Sequence, residues 1–154
     1  MYNADEMEIN PSNSPILVVD WGSRRLGLAV SDLTHTLARP LCVVEHISRL
    51  EDATRILTIA QENKVGLIII GVNYDEKSEP TLSGRSALRL LKEIQNLTSI
   101  AIIPWDESGS TQAAISSRLK IGVKKKKRKG HHDSIAAAII LQEFLDNGMK
   151  KNEN

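Results

Sequence analysis

Residues Gly66-Leu67-Ile68-Ile69-Ile70-Gly71-Val72 form an unbroken apolar run of strand length. A strand that is apolar on both faces must be covered on both, which is the habit of parallel strands in α/β proteins and not of half-solvated antiparallel sheets. The remainder of the chain should therefore supply helices for two faces. At 154 residues, with 41% apolar and 25% charged side chains, it is long enough for one such core.

The flanking segments agree. Strands are expected at about 16–21 and 26–32, joined by a short turn around Gly22 and Arg25, with a third at about 41–46 completing an antiparallel meander. Ser48 followed by Glu51 has the spacing of a capping box. The helix behind it should run to about Asn63 with Leu50, Ala53, Ile56, Leu57 and Ala60 on one face. The polar stretch 73–83, which contains Pro80, is expected to be a mobile loop. A helix over about 84–96, a strand over 99–105, a helix beginning near Ser110-Thr111 and a last helix over about 133–147 follow. The order β-β-β-α-β-α-β-α-α implies an α/β fold, a mixed five-stranded sheet with helices on both faces. Residues 1–14 are expected to be a flexible extension, 15–148 the domain and 149–154 a polar tail.

Composition narrows the function. Aromatic residues make up only 3%, so base stacking on an aromatic platform is a poor candidate for any nucleic-acid binding. The longest uninterrupted apolar stretch in the carboxyl-terminal half, Ile135 to Leu141, is far too short to span a bilayer. The acidic opening (Asp5, Glu6, Glu8) is unlike a secretory signal. Cys42 is the single cysteine, so no disulfide can form within one chain. A cytoplasmic protein is expected, acting as a monomer or homodimer with no membrane partner.

The net charge of +1 conceals an uneven distribution. Between Gln112 and Gly130 there is no acid, and eight basic residues stand there: Arg118, Lys120, Lys124, Lys125, Lys126, Lys127, Arg128 and Lys129. Such a block repels itself and suits contact with a phosphate backbone.

Acids fall where this architecture brings strand ends together. Asp20 closes the first strand, Asp106 and Glu107 follow the last, and Asp133 opens the final helix. Ligand chemistry in such sheets is expected beyond the carboxyl ends of the parallel strands. Carboxylates sharing one cleft repel each other unless a cation offsets them, and oxygen donors without cysteine favour Mg2+ or Mn2+. Arg24 and Arg25, in the loop beside Asp20, are candidates for phosphate contact. Trp21 and Trp105 flank the acids and are expected to pack against the sheet; either could brace a base.

Asp20-Trp21-Gly22-Ser23-Arg24-Arg25-Leu26-Gly27-Leu28-Ala29-Val30-Ser31-Asp32 resembles the opening motif of the YqgF/RuvX family, known as pre-16S rRNA nucleases or Holliday-junction-resolvase-like proteins. Asp106, Glu107, Ser110, Thr111 and Ala114 match its middle motif. The helix with Asp133, Ile135, Ala136, Ala137, Ile140, Leu141, Gln142, Phe144 and Leu145 matches its closing one. The resemblance spans about residues 15–147 and implies a ribonuclease H-like fold. It implies a metal-dependent nuclease acting on structured nucleic acid, with 5′-end processing of precursor 16S rRNA as the favoured task. Asp20, Glu107 and Asp133 would then be the catalytic, metal-holding acids. Arg24, Arg25, Lys124, Lys125, Lys126, Lys127, Arg128 and Lys129 would grip the backbone. Structured RNA is the favoured substrate and branched DNA the alternative, as for a Holliday junction resolvase. Where the family has arginine after Asp-Glu this chain has Ser108, the feature that supports a further alternative, a catalytically weak nucleic-acid-binding protein. The family follows its central strand with Gly-x-Pro and a Met-Asp-Gly-like loop; here Gly71-Val72-Asn73-Tyr74-Asp75-Glu76-Lys77 lacks that proline and the loop glycine while keeping the loop's length.

Overall fold

The computed structural model describes residues 13–107 and 131–148. Strand β1 (Ile16–Asp20) pairs antiparallel with β2 (Arg25–Ser31), and β2 with β3 (Ala38–Glu45). Helix α1 (Arg49–Glu62) leads to β4 (Leu67–Val72), and α2 (Leu82–Leu97) to β5 (Ala101–Asp106). Both β4 and β5 run parallel to β1, giving one mixed five-stranded sheet in the order β3-β2-β1-β4-β5. The unbroken apolar run of the sequence is β4, fully buried between two parallel neighbours.

Alternation along the strands divides the core into two layers. Leu17, Val19, Leu26, Leu28, Ile68, Ile70 and Ile102 meet Ala53, Ile56 and Ala60 of α1 and Leu90, Leu91 and Ile94 of α2. Ile16, Val18, Ala29, Leu67, Ile69 and Ile103 meet Ala137, Ile140 and Leu141 of helix α3 (His131–Glu143), with Phe144 and Leu145 of the π-helical turn Phe144–Gly148 that ends it. Helices therefore lie on both faces. Gln142 pins α3 to the β2–β3 connection, accepting from the Ala38 N–H at 2.9 Å and donating to the Thr36 carbonyl at 2.9 Å.

Several local expectations change. Leu50 is 54% exposed, and the α1 position turned inward beside Ala53 is Asp52, which has no exposed surface. Its carboxylate accepts from the Ile47 N–H at 3.0 Å and pairs with Arg55 at 2.9 Å and with His46. An ion-paired acid can occupy a site that hydrophobic periodicity assigns to an apolar side chain. The Ser48 cap forms as expected, its hydroxyl accepting from the Glu51 N–H at 3.1 Å.

Strand β3 begins three residues before its expected start and contains Pro40, tolerated because β3 is an edge strand. The stretch after β4 is bound up locally. Asp75 Oδ1 accepts from the N–H groups of Lys77 and Glu79 at 2.8 and 3.0 Å, and Tyr74 bridges to Pro80. Thr81 caps α2, its hydroxyl accepting from the Gly84 N–H at 3.1 Å, so that helix starts two residues early. The expected helix near Ser110-Thr111 and the basic block lie outside the described residues.

Candidate active site

Asp20 sits at the carboxyl end of the central strand. Its side-chain parity is that of Ile16 and Val18, so the carboxylate projects on the α3 face. The residue opposite it on β2 is Gly27 and the residue opposite it on β4 is Gly71. Both lateral neighbours of the acid therefore lack a side chain, and other groups occupy the cleared space.

Above Gly71 lies Glu107, one residue past β5, its Oε2 2.7 Å from where a β-carbon on Gly71 would stand. The Glu107 N–H donates to the Val72 carbonyl at 3.1 Å, which extends the β4–β5 pairing and holds the acid against the strand end. Above Gly27 lies the first turn of α3. A β-carbon there would stand 1.9 Å from the Asp133 carbonyl oxygen, so the helix start rests directly on the β2 backbone. The sheet register and the two glycines thus bring Asp20, Glu107 and Asp133 to one end of one face.

The electrostatics reflect this crowding. Burial, and then the Glu107 and Asp133 carboxylates, push the Asp20 carboxyl up to about 8. Burial and the adjacent Asp106 push Glu107 up to about 7. Two half-buried acids that resist losing their protons near neutrality form a site short of positive charge. Asp133 has a partial remedy: Arg25 Nε lies 3.1 Å from its Oδ2. The pair lacks hydrogen-bond alignment, and this buried oxygen accepts no hydrogen bond.

The donor set suits a hard divalent cation, since all three groups offer anionic oxygen and one is a buried acceptor without a hydrogen bond. Among the described residues no three His, Cys, Asp or Glu side chains close into a ready-made cage.

Other sequence candidates separate. Arg25 is turned to Asp133, whereas Arg24 is exposed and its carbonyl accepts from the His46 N–H at 2.9 Å. Asp106 ends β5 with an exposed side chain. Trp105 packs on the α3 face, edge-on to Phe144 at 5.2 Å, while Trp21 turns to the α1–α2 face. Lys124 to Lys129 lie outside the described residues. Gly71 stands at the glycine of the family's Gly-x-Pro but is not among the sequence's site candidates, although a glycine inside a buried strand signals close approach by another group.

A five-stranded sheet in the order β3-β2-β1-β4-β5, with an acid at the end of its central strand, defines the ribonuclease H-like class. Solved structures agree in fold: the Thermus thermophilus RuvC in complex with Holliday junction substrate has a TM-score of 0.55 at 17% identity, covering 88% of this chain and 96% of that one. The large terminase nuclease from thermophilic phage G20c has a TM-score of 0.54 at 14% identity, covering 87% and 83%.

The chain belongs to the RuvX family, whose model, described as Holliday junction resolvase, matches residues 14–147. A relative from Staphylococcus haemolyticus named "Putative pre-16S rRNA nuclease" is 40% identical over 136 residues, covering 85% of this chain and 94% of the relative. One of the same name from Thermoanaerobacter pseudethanolicus is 34% identical over 137 residues, covering 88% and 99%. The family is one of nucleases, hydrolases acting on ester bonds.

Proposed function

We propose that this protein is a divalent-metal-dependent nuclease that trims the 5′ end of precursor 16S rRNA, with Asp20, Glu107 and Asp133 as the acids that hold the metal. The observation that carries this reading is the pair of glycines flanking Asp20, which clear space for the two elements that bring in further acids. The relatives' name supports the RNA substrate. Mg2+ or Mn2+ bound by these acids would offset their mutual repulsion, help activate the attacking water and stabilise charge on the leaving oxygen.

The chain's own groups do the rest. Asp20, on the central strand, is the fixed point of the set. Glu107 is kept over Gly71 by its backbone bond to Val72. Arg25 lies against Asp133 and offsets part of its charge, which a bound cation would otherwise do. Exposed Arg24 and the block Lys124-Lys125-Lys126-Lys127-Arg128-Lys129 hold substrate phosphates, a role their charge supports. Action in the cytoplasm follows from the RNA substrate, and no helix among the described residues is long and apolar enough to cross a membrane.

The test is cleavage of a short RNA spanning the 5′ junction of precursor 16S rRNA, with Mn2+ or Mg2+. Cleavage is expected from the native protein and none from the triple variant Asp20→Asn, Glu107→Gln, Asp133→Asn. Survival of cleavage in that variant overturns the site. The family description gives a second substrate a specific footing: a four-way DNA junction cut in preference to the RNA would make the protein a resolvase.

A further inference from the structure

On the opposite face of the sheet from these acids, at the same carboxyl edge, lies a cavity of about 210 Å³. Its walls include Trp21, His46, Arg49, Asp52, Ser86 and Arg89. Trp21 follows Asp20 directly in sequence, so about 3.8 Å separates their Cα atoms while the two side chains diverge to opposite faces. The indole is half-buried and edge-on to His46, with centroids 6.1 Å apart.

The lining is cationic. Its one carboxylate, Asp52, is already taken up by Arg55, His46 and the Ile47 N–H, so it presents no free negative charge. Arg89 donates only a 3.3 Å bond to the Ser86 hydroxyl, and Arg49 has no ion pair among the described residues. Two guanidiniums without carboxylate partners among the described residues, beside an aromatic ring, make a pairing suited to phosphate and base together. The volume is below the roughly 300–1,000 Å³ of sites that enclose whole small molecules. It suits one unit of a longer ligand.

We infer that this cavity is a nucleotide subsite, in which one unpaired base of a single strand stacks on Trp21 and its phosphate lies between Arg49 and Arg89. The low aromatic content rules out an extended platform but not a single stacked base at this edge. The inference rests on the nuclease reading for its ligand class, and it adds where an unpaired nucleotide of the substrate is held on the other face of the sheet.

Binding is measured on the full chain carrying Trp105→Phe, so that Trp21 is the sole indole, in EDTA to prevent cleavage. A five-nucleotide single-stranded RNA with a fluorescent end gives affinity by anisotropy, while Trp21 emission reports occupancy of the cavity. Quenching that tracks the anisotropy is expected, with affinity falling about tenfold in Arg49→Ala/Arg89→Ala and in Trp21→Leu. The conservative Trp21→Phe should restore most of the loss. Unchanged Trp21 emission with bound RNA, no binding at all, or equal affinity in the double-arginine variant would each overturn the subsite. Uridine monophosphate binding as tightly as the pentamer would overturn the strand assignment in favour of a free nucleotide. Cleavage with Mn2+ by a protein whose Trp21 stays silent defeats this inference alone. Quenching without cleavage defeats the nuclease reading alone.

Discussion

Glu107 lies over Gly71 so closely that its Oε2 is 2.7 Å from the position of an added β-carbon, while the next nearest group, Ile140 Cδ1, is at an ordinary 3.5 Å. The glycine is thus shaped to the acid and not to the core. Gly71→Ala should therefore disturb function more than folding, because the end of a flexible carboxylate can yield where a backbone cannot. The expected result is a stability loss below about 1 kcal/mol with cleavage reduced at least tenfold. Thermal melts and single-turnover rates on the same preparation check it; an unimpaired rate would show that the position of Glu107 is immaterial.

The matching substitution on the other side of Asp20 should behave in the opposite way. A β-carbon at Gly27 would stand 1.9 Å from the backbone carbonyl of Asp133, and 2.9 Å from the Ser134 nitrogen. Relief requires α3 to lift from the sheet, and α3 covers one whole face of the core. Gly27→Ala is expected to cost about 1–3 kcal/mol or more, visible as a lower urea midpoint. A midpoint equal to that of Gly71→Ala would contradict the close seating of the helix.

Much of this arrangement is legible in the sequence, and the reasons are physical. The apolar runs of β4 and β1 specify a covered sheet, and the capping chemistry at Ser48 marks the start of α1. Asp20, Glu107 and Asp133 stand out as acids at element ends. Other features are invisible to periodicity because they depend on partners distant in sequence. Asp52 is buried only because Arg55 and His46 meet it, and Leu50 is exposed in its stead. The alignment of Gly27 and Gly71 on either side of Asp20 is a matter of register, which the strand patterns alone leave open. The loop after β4 reads as mobile from its polarity, yet Asp75 closes it with local bonds.

The raised carboxyls predict an unusual pH dependence of stability without metal. The folded-state values, about 8 for Asp20 and about 7 for Glu107, lie above the ordinary carboxylate range. Between about pH 4 and 8 the folded state therefore holds protons that the unfolded chain has released, and stability must fall as pH rises through that window. A drop in Tm of roughly 5 °C from about pH 5 to about pH 8 in EDTA is expected. Asp20→Asn should flatten most of it. A native protein equally stable at both pH values would mean that the acids are not mutually strained.

Divalent cation should reverse that penalty. At about pH 8, Mn2+ at about one hundred times its dissociation constant should stabilise the native protein by about 2.7 kcal/mol. Asp20→Asn and Asp133→Asn should each lose most of this gain, even though Asp20→Asn raises the starting stability. Differential scanning calorimetry with a Mn2+ titration separates the two effects. Equal stabilisation of native and variant proteins would place the cation elsewhere.

The basic block should act on affinity without regard to sequence. Lys124, Lys125, Lys126 and Lys127 stand in a segment that contains no acid, the composition that suits displacement of counterions from a substrate backbone. Replacing all four by alanine should weaken binding to precursor RNA and to a DNA junction alike. The slope of log affinity against log salt should become shallower by up to about 3.6, at roughly 0.7–0.9 for each phosphate no longer neutralised. Arg49→Ala/Arg89→Ala should instead weaken binding most where the ligand has an unpaired strand. Filter binding across a salt series, with both ligands and both variants, distinguishes the two kinds of interaction. If the quadruple variant keeps the native slope, the block does not touch the backbone, and the charge that holds the substrate has to come from the arginines beside Asp20 and Trp21.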